Sequence, residues 1–178
     1  MAIEQLETER LLLRRPRLED AANIFARYSS DADVTRFVGW PRHRTVQDAT
    51  VFVGFSDDEW TRRRCGPYLI WDRCSSVLLG GTGLSLEAPE RAATGYVLAK
   101  DAWGRGLATE ALNAMIEAAQ RIGISQLYAI CHADHQPSAH ALEKCQFSFD
   151  RIVAALPFPN LSPSRADGRR YIRTIERA

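Results

Sequence analysis

A short turn with two glycines, placed before a strongly periodic segment, is the part of this sequence best suited to hold an anion. Residues 103–110 read Trp-Gly-Arg-Gly-Leu-Ala-Thr-Glu, and apolar residues then recur at helical spacing as far as Ile122. This pattern predicts a helix that begins near Gly106 and stops at Gly123. First-turn amides lack intrahelical partners and lie at the positive end of the helix dipole, so this end of the helix favours a diphosphate.

The residue types in the turn agree with phosphate binding, although an ordinary strand-to-helix turn can contain the same glycines. Gly104 and Gly106 leave room for a phosphate to approach the main chain, and Arg105 adds a positive charge. Thr109 occupies the third glycine position of a dinucleotide fingerprint, and no G-x-x-x-x-G-K-[ST] motif is present. The sequence therefore disfavours a nicotinamide dinucleotide or a nucleoside triphosphate as the ligand.

The turn resembles the acyl-CoA motif [QR]-x-x-G-x-[GA] of the GNAT N-acetyltransferase superfamily. The likeness is greatest to the RimJ/RimL-like branch, whose version reads roughly G-Y-x-L-x-x-x-x-W-G-x-G-x-A-T-E-A. Residues 95–98 and 103–111 reproduce that pattern, with Trp103 where other branches carry Gln or Arg. The phrase T-E-R-L-x-L-R at residues 8–14 is also typical of the branch.

The resemblance implies an acetyl-CoA cosubstrate, no metal, and two groups of cofactor-binding residues. The first group would surround the diphosphate and comprises Trp103, Gly104, Arg105, Gly106, Leu107, Ala108 and Thr109. The second would lie along a strand that splays from its neighbour, so that the pantetheine arm adds to it like an extra strand; it comprises Val97, Leu98 and Ala99.

Residues 135–147 resemble a second family motif, N-x-x-S-x-x-x-L-E-K-x-G-F, which forms a helix beside the acetyl-CoA cleft. Two positions depart from it: His135 replaces Asn, and Gln146 replaces Gly. An imidazole can still donate a hydrogen bond to the cofactor. Gln146 is expected to end the helix in a left-handed conformation, at a cost on the order of 1 kcal/mol.

For catalysis, the family resemblance implies direct attack by an amine, which needs no protein nucleophile. Ser138 matches the position whose hydroxyl lies near the cofactor sulfur and can stabilise the departing thiolate, or it caps its helix. Many relatives carry a Glu base where this chain has Ala93, so His132 and Asp134 are the alternatives unless they are ordinary solvated loop residues. Tyr96 is a candidate for the acid, depending on the register of its strand.

The periodicity predicts an α+β domain spanning residues 1–178. Strands are expected around 11–14, 67–71, 77–84, 93–99, 126–132, 148–154 and 169–176, with helices over 18–28, 46–61, 107–122 and after 135. The resemblance implies the GNAT fold, a mixed, mostly antiparallel sheet of six to seven strands flanked by about four helices. In relatives, the region that contains residues 36–41 forms a wall of the acceptor site. The long linker 156–168 either folds over the acceptor mouth or makes a subunit contact.

Composition and net charge limit the kinds of partner that this protein is expected to bind. The 178 residues carry a net charge of +1, so no overall field attracts nucleic acid or a membrane surface. There is no leader-like N-terminus and no run of eighteen apolar residues, which predicts a soluble cytoplasmic protein. The four cysteines show no metal-binding or disulfide spacing and are expected to be free and mostly buried.

These features predict an enzyme that transfers the acetyl group of acetyl-CoA directly to a primary amine, either a protein N-terminus or a small molecule. Similar proteins are often homodimers, so a homodimer is a further expectation. The competing hypothesis is a non-catalytic acyl-CoA-binding module that has kept the phosphate turn. The departures at Ala93, His135 and Gln146 favour that alternative.

Overall fold

The computed structural model describes residues 2–176 and contains one eight-stranded sheet. Its strands are β1 (Gln5–Glu7), β2 (Leu11–Arg14), β3 (Pro67–Asp72), β4 (Leu78–Ala88), β5 (Arg91–Leu98), β6 (Gln126–His132), β7 (Ser148–Pro157) and β8 (Arg165–Thr174). Its α-helices are α1 (Ala21–Ile24), α2 (Val46–Arg63), α3 (Leu107–Arg121) and α4 (Gln136–Lys144). The strand order is β1-β2-β3-β4-β5-β6-β8-β7.

All neighbouring strands are antiparallel except β5 and β6, which run parallel. The predicted mixed, mostly antiparallel sheet with four helices is confirmed. The eighth strand is β1, whose three residues pair with β2. It was not predicted because three residues are too few to show an alternating pattern.

The core consists of two clusters of buried residues. The larger contains the inner face of α3, including Leu107, Leu112 and Met115, together with Leu142 of α4. The smaller is formed mainly by α1 and α2 with parts of β3 and β4. Three of the four free cysteines are buried as expected, and Cys74 is exposed.

The helix boundaries follow local signals. Helix α2 begins after a capping box in which the Asp48 carboxylate accepts the Thr45 N–H at 2.9 Å. Helix α3 begins after Gly106, which has a φ of +74°, and ends just before Gly123, which has a φ of +84°. Gln146 has a φ of +61° after α4, so the predicted left-handed ending is confirmed.

Two sequence predictions change in detail. The segment predicted as one helix over 18–28 is helical but changes winding: a 3₁₀ turn at Leu18–Asp20, α1, and then a π turn at Phe25–Ser29. Strands β7 and β8 extend further than expected, so their connection spans 158–164 instead of 156–168. Within residues 2–176, no helix has the length and apolar character needed to cross a membrane.

Candidate active site

The site lies where two parallel strands separate. Strands β5 and β6 pair only over three positions, ending at Ala93 and Tyr128, and the rest of β5 has no partner on that side. A cavity of about 1870 Å³ opens in the gap and is lined by residues of β5, β6, α4 and the turn before α3. The splayed strand that the resemblance implied is therefore present, with Val97 and Leu98 in the cavity wall.

The turn before α3, hereafter the cradle (residues 103–109), presents free main-chain donors to this cavity. Gly104 and Gly106 have φ values of +70° and +74°, which side-chain-bearing residues rarely adopt. The Glu110 amide donates to the Gly106 carbonyl at 3.2 Å. No atom of residues 2–176 accepts a hydrogen bond from the main-chain amides of residues 104–109. Such a run of unpaired donors at a helix N-terminus fits an anion such as a diphosphate.

Not every side chain of the cradle faces the cavity. Trp103, Gly104, Gly106, Ala108 and Thr109 line it. The Leu107 side chain is instead part of the buried core, and the Arg105 guanidinium lies 4.0 Å from an Asp72 carboxylate oxygen. The Trp103 indole donates to the Leu98 carbonyl at 2.8 Å and so ties the cradle to the end of β5. Ala99 is buried in the smaller core cluster and is not among the residues that line the cavity.

A carboxylate clamp that the sequence did not assign holds the cradle against the first strands. Glu110 accepts hydrogen bonds from the Thr8 hydroxyl, from the Arg10 amide at 2.9 Å and from Arg10 Nε at 2.7 Å. Arg10 Nη1 also donates to the Arg105 carbonyl at 2.9 Å. Burial raises the pKa of Glu110, but these hydrogen bonds outweigh it and hold that pKa below its ordinary value. The acidic residue in the first turn of α3 was the available signal.

Two hydroxyls and a thiol meet beside the opened strands. Tyr96, Cys131 and Ser138 all line the cavity. Burial raises the pKa of the Tyr96 phenol, and the interaction with the Ser138 hydroxyl only partly opposes that rise. Ser138 also interacts with Cys131, whose pKa is raised by burial. The Tyr96 phenol is therefore protonated at neutral pH and can donate but not remove a proton.

The Ser138 side chain does not cap α4. The residue in the cap position is His135, and no side-chain hydrogen bond caps this helix. Ser138 lies within the first turn, and its amide donates to the His135 carbonyl at 3.1 Å. The hydroxyl therefore interacts with Tyr96 and Cys131 at the cavity and not with the backbone of its helix.

The two histidines near α4 have different surroundings. His132 is 7% exposed, packs between the rings of Phe37 at 4.6 Å and Phe158 at 4.8 Å, and does not line the cavity. Its Nδ1 accepts the Asp134 N–H at 3.1 Å, so a neutral His132 carries its proton on Nε2. His135 lines the cavity, and burial, followed by the nearby His132, lowers its pKa.

The opposite wall of the cavity is built by the loop before α2 and the connection after β7. Asn160 joins them: its Nδ2 donates to the carbonyls of Thr35 at 2.8 Å and Trp40 at 2.9 Å, and its Oδ1 accepts the Arg42 N–H at 2.8 Å. Residues 36–44 and 156–160 line this wall. The first part of the predicted linker therefore borders the cavity. Nothing in the sequence marked Asn160, since its three partners are over a hundred residues away.

The geometry agrees with what comparison with known proteins finds. The family described as "Acetyltransferase (GNAT) domain" matches residues 10–148. The uncharacterized N-acetyltransferase YoaA of Bacillus subtilis is 27% identical over 161 residues, which is 89% of this chain and 90% of YoaA.

Solved structures, including the following two, are also similar in fold. One is RimL, a ribosomal L7/L12 alpha-N-protein acetyltransferase in complex with coenzyme A. It has a TM-score of 0.86 and 19% identity and covers 97% of this chain and 98% of its own. The other is the microcin C7 self-immunity acetyltransferase MccE with acetyl-CoA and AMP, with a TM-score of 0.83, 18% identity and 94% coverage of both chains.

Proposed function

Because this chain belongs to the acetyltransferase (GNAT) family, we propose that it transfers the acetyl group of acetyl-CoA directly to a primary amine, with no covalent enzyme intermediate. The observation that carries the proposal is the run of unpaired amides at residues 104–109, which opens into the gap between β5 and β6. The amides suit the diphosphate of the cosubstrate, and the free edge of β5 suits its amide-bearing arm.

In this proposal the acetyl thioester lies beside Tyr96 and Ser138. The amine nitrogen attacks the thioester carbonyl carbon, the carbon–sulfur bond breaks, and the sulfur leaves as a thiolate. Ser138 donates a hydrogen bond to that thiolate, and the protonated Tyr96 phenol supplies its proton. Ser138 also interacts with the phenol, so it can hold the Tyr96 side chain in place.

We assign the proton-accepting role to His135 in preference to His132. His135 lines the cavity, and its lowered pKa leaves the imidazole neutral at physiological pH. His132 is 7% exposed, its Nδ1 accepts the Asp134 amide, and the rings of Phe37 and Phe158 pack against it, so it is less well placed than His135 to meet an amine in the cavity. His132 instead fixes the junction between the two walls of the cavity.

Thiol release tests the proposal. The protein is incubated with acetyl-CoA and a panel of amines and peptide N-termini, and free CoA is followed with a thiol reagent. We expect release that depends on the acceptor, with the acetyl group recovered on the amine by mass spectrometry. Tight CoA binding without acceptor-dependent release would favour the non-catalytic module, which the departures at Ala93, His135 and Gln146 suggest.

A further inference from the structure

The wall of the cavity that we assign to the acceptor carries three arginines that form no ion pair within residues 2–176. Arg36, Arg42 and Arg44 all line this wall. Across residues 2–176, no carboxylate oxygen lies within 4.0 Å of any of their guanidinium groups. The Arg36 guanidinium lies 5.1 Å from the centre of the Phe37 ring, and its charge also contributes to the lowered pKa of Asp33.

The acidic groups on the same wall are already engaged elsewhere. Asp33 pairs with Lys100, and the hydrogen bond from Lys100 is the main reason that its pKa is lowered. Asp48 Oδ2 accepts the Arg44 N–H at 2.7 Å and the Thr45 N–H at 2.9 Å, so it caps α2. Among residues 2–176, neither carboxylate has an oxygen within 4.0 Å of a guanidinium of the wall, and the Arg36 charge acts on Asp33 only as a smaller contribution to its lowered pKa. The three arginines are therefore available to an anion that enters the cavity.

The main chain that carries these arginines is fixed. Asn160 accepts the Arg42 N–H and donates to the Trp40 carbonyl, which holds the loop against the β7–β8 connection. The Arg42 side chain is half-buried, whereas those of Arg36 and Arg44 are exposed. A guanidinium on a fixed backbone loses less freedom when it forms a paired hydrogen bond with an oxyanion.

We infer that the acceptor carries an anionic group, a carboxylate or a phosphate, in addition to its amine, and that Arg36, Arg42 and Arg44 bind it. This inference rests on the proposed function, because it describes the second substrate of that site. Trp40 and Phe52 line the same wall and provide an apolar surface for the part of the acceptor between amine and anion. The guanidinium groups then set which amines are acetylated, while Ser138 and Tyr96 act on the thioester.

Matched acceptor pairs test the inference and separate the two anion sources. One pair is the peptides Ala-Phe-Asp-Glu and Ala-Phe-Asn-Gln, both amidated; the other is 3-aminopropyl phosphate and 3-aminopropanol. We expect kcat/KM to favour the anionic member of at least one pair by about tenfold or more. The pair that shows the preference identifies carboxylate or phosphate as the anion. The preference should weaken as salt increases.

The variant Arg36→Gln/Arg42→Gln/Arg44→Gln should abolish this preference while leaving KM for acetyl-CoA unchanged. The control Arg62→Gln/Arg121→Gln removes two exposed arginines that each pair with a carboxylate on the same helix. It should change neither the acceptor preference nor KM for acetyl-CoA. Equal rates for charged and neutral acceptors would overturn the inference. A rise in KM for acetyl-CoA in the triple variant would also overturn it, because the arginines would then hold cofactor phosphates.

Calorimetry of the same compounds on protein saturated with CoA distinguishes failure of this inference from failure of the proposed function. Arginine-dependent binding of the anionic member, with no acetylation of any amine, would uphold the anion site and refute the transferase proposal. Acetylation with no difference in binding or rate within either pair would uphold the transferase proposal and refute the anion site.

Discussion

Replacing Gly106 by glutamate tests the phosphate cradle most directly. Apart from its neighbours along the chain, the only atom of residues 2–176 within 4 Å of a Cβ at this position is Arg10 Nη2, at 3.7 Å, so a side chain fits. The backbone cost is that of holding a non-glycine residue at a φ of +74°, about 1–2 kcal/mol of unfolding free energy. The new carboxylate would stand beside the unpaired amides that we assign to the diphosphate.

The expected loss of affinity follows from the charges. Two unit charges 4 Å apart repel by about 1 kcal/mol in water and about 4 kcal/mol at an effective dielectric constant of 20. A partly open cavity lies between these limits, so we expect about 2–3 kcal/mol, or about a 30- to 150-fold increase in Kd for CoA. Calorimetric titration with CoA at low salt measures this increase in Kd, and added salt should make the increase smaller.

Two controls separate charge from backbone strain. Gly106→Ala introduces a side chain without the carboxylate and should raise Kd less than about fivefold, since it leaves the main-chain donors in place. Gly123→Glu places the same charge at a glycine of similar φ, +84°, at the other end of α3, where no atom of the described residues except its chain neighbours lies within 4 Å of a Cβ. It should destabilise the fold comparably and leave CoA affinity unchanged. Wild-type affinity in Gly106→Glu, or an equal loss in Gly106→Ala, would refute the electrostatic assignment.

Three further substitutions test other parts of the site. Ser138→Ala should lower kcat by about 10- to 100-fold with little change in Kd for acetyl-CoA, since the hydroxyl acts on the departing thiolate; single-turnover thiol release checks it, and an unchanged kcat would remove Ser138 from the chemistry. Asn160→Ala should raise KM for the acceptor several-fold but not KM for acetyl-CoA, because it removes the hydrogen bonds that hold the acceptor wall in place. Steady-state kinetics with each substrate varied in turn measures both constants, and a rise in KM for acetyl-CoA alone would contradict this role. Glu110→Gln should lower the unfolding free energy by about 1–2 kcal/mol near pH 7, where Arg10 hydrogen bonds to the carboxylate. The pKa of Glu110 is depressed in the folded state, so the stability that Glu110 contributes is present above its unfolded pKa and is lost as pH falls through its folded pKa. The denaturation curves of the wild type and the variant should therefore converge in acid. A difference that persists in acid would contradict a stabilising role for the Glu110 carboxylate.

Local signals in the sequence were enough to locate the turn and the helix that we assign to the cofactor. The helix after Gly106, the glycine conformations and the unpaired amides all follow from interactions within about ten residues. The left-handed ending at Gln146 was equally local, since the chain must turn after α4. Motif resemblance added the strand that leads into the cradle and the helix that carries Ser138.

The wall that we assign to the acceptor depended on contacts between distant segments. Asn160 bridges residues more than a hundred positions away. The cradle also has one such contact, the clamp in which Thr8 and Arg10 donate to Glu110 of α3. His132 illustrates the same limit. Its place at the end of β6 suggested a catalytic base, but Phe37 and Phe158 approach from other parts of the chain and enclose it.

By itself, then, the sequence determined the family, the type and approximate position of the main helices and strands, and the cradle, because these depend on short-range periodicity, glycine conformation and unpaired helix amides. Only the tertiary structure decided how far β5 and β6 separate, that His135 and not His132 lines the cavity, and that Arg36, Arg42 and Arg44 share a wall with no carboxylate of residues 2–176 within 4.0 Å. Burial, separation and charge pairing are properties of segments brought together by folding, and no spacing along the chain specifies them.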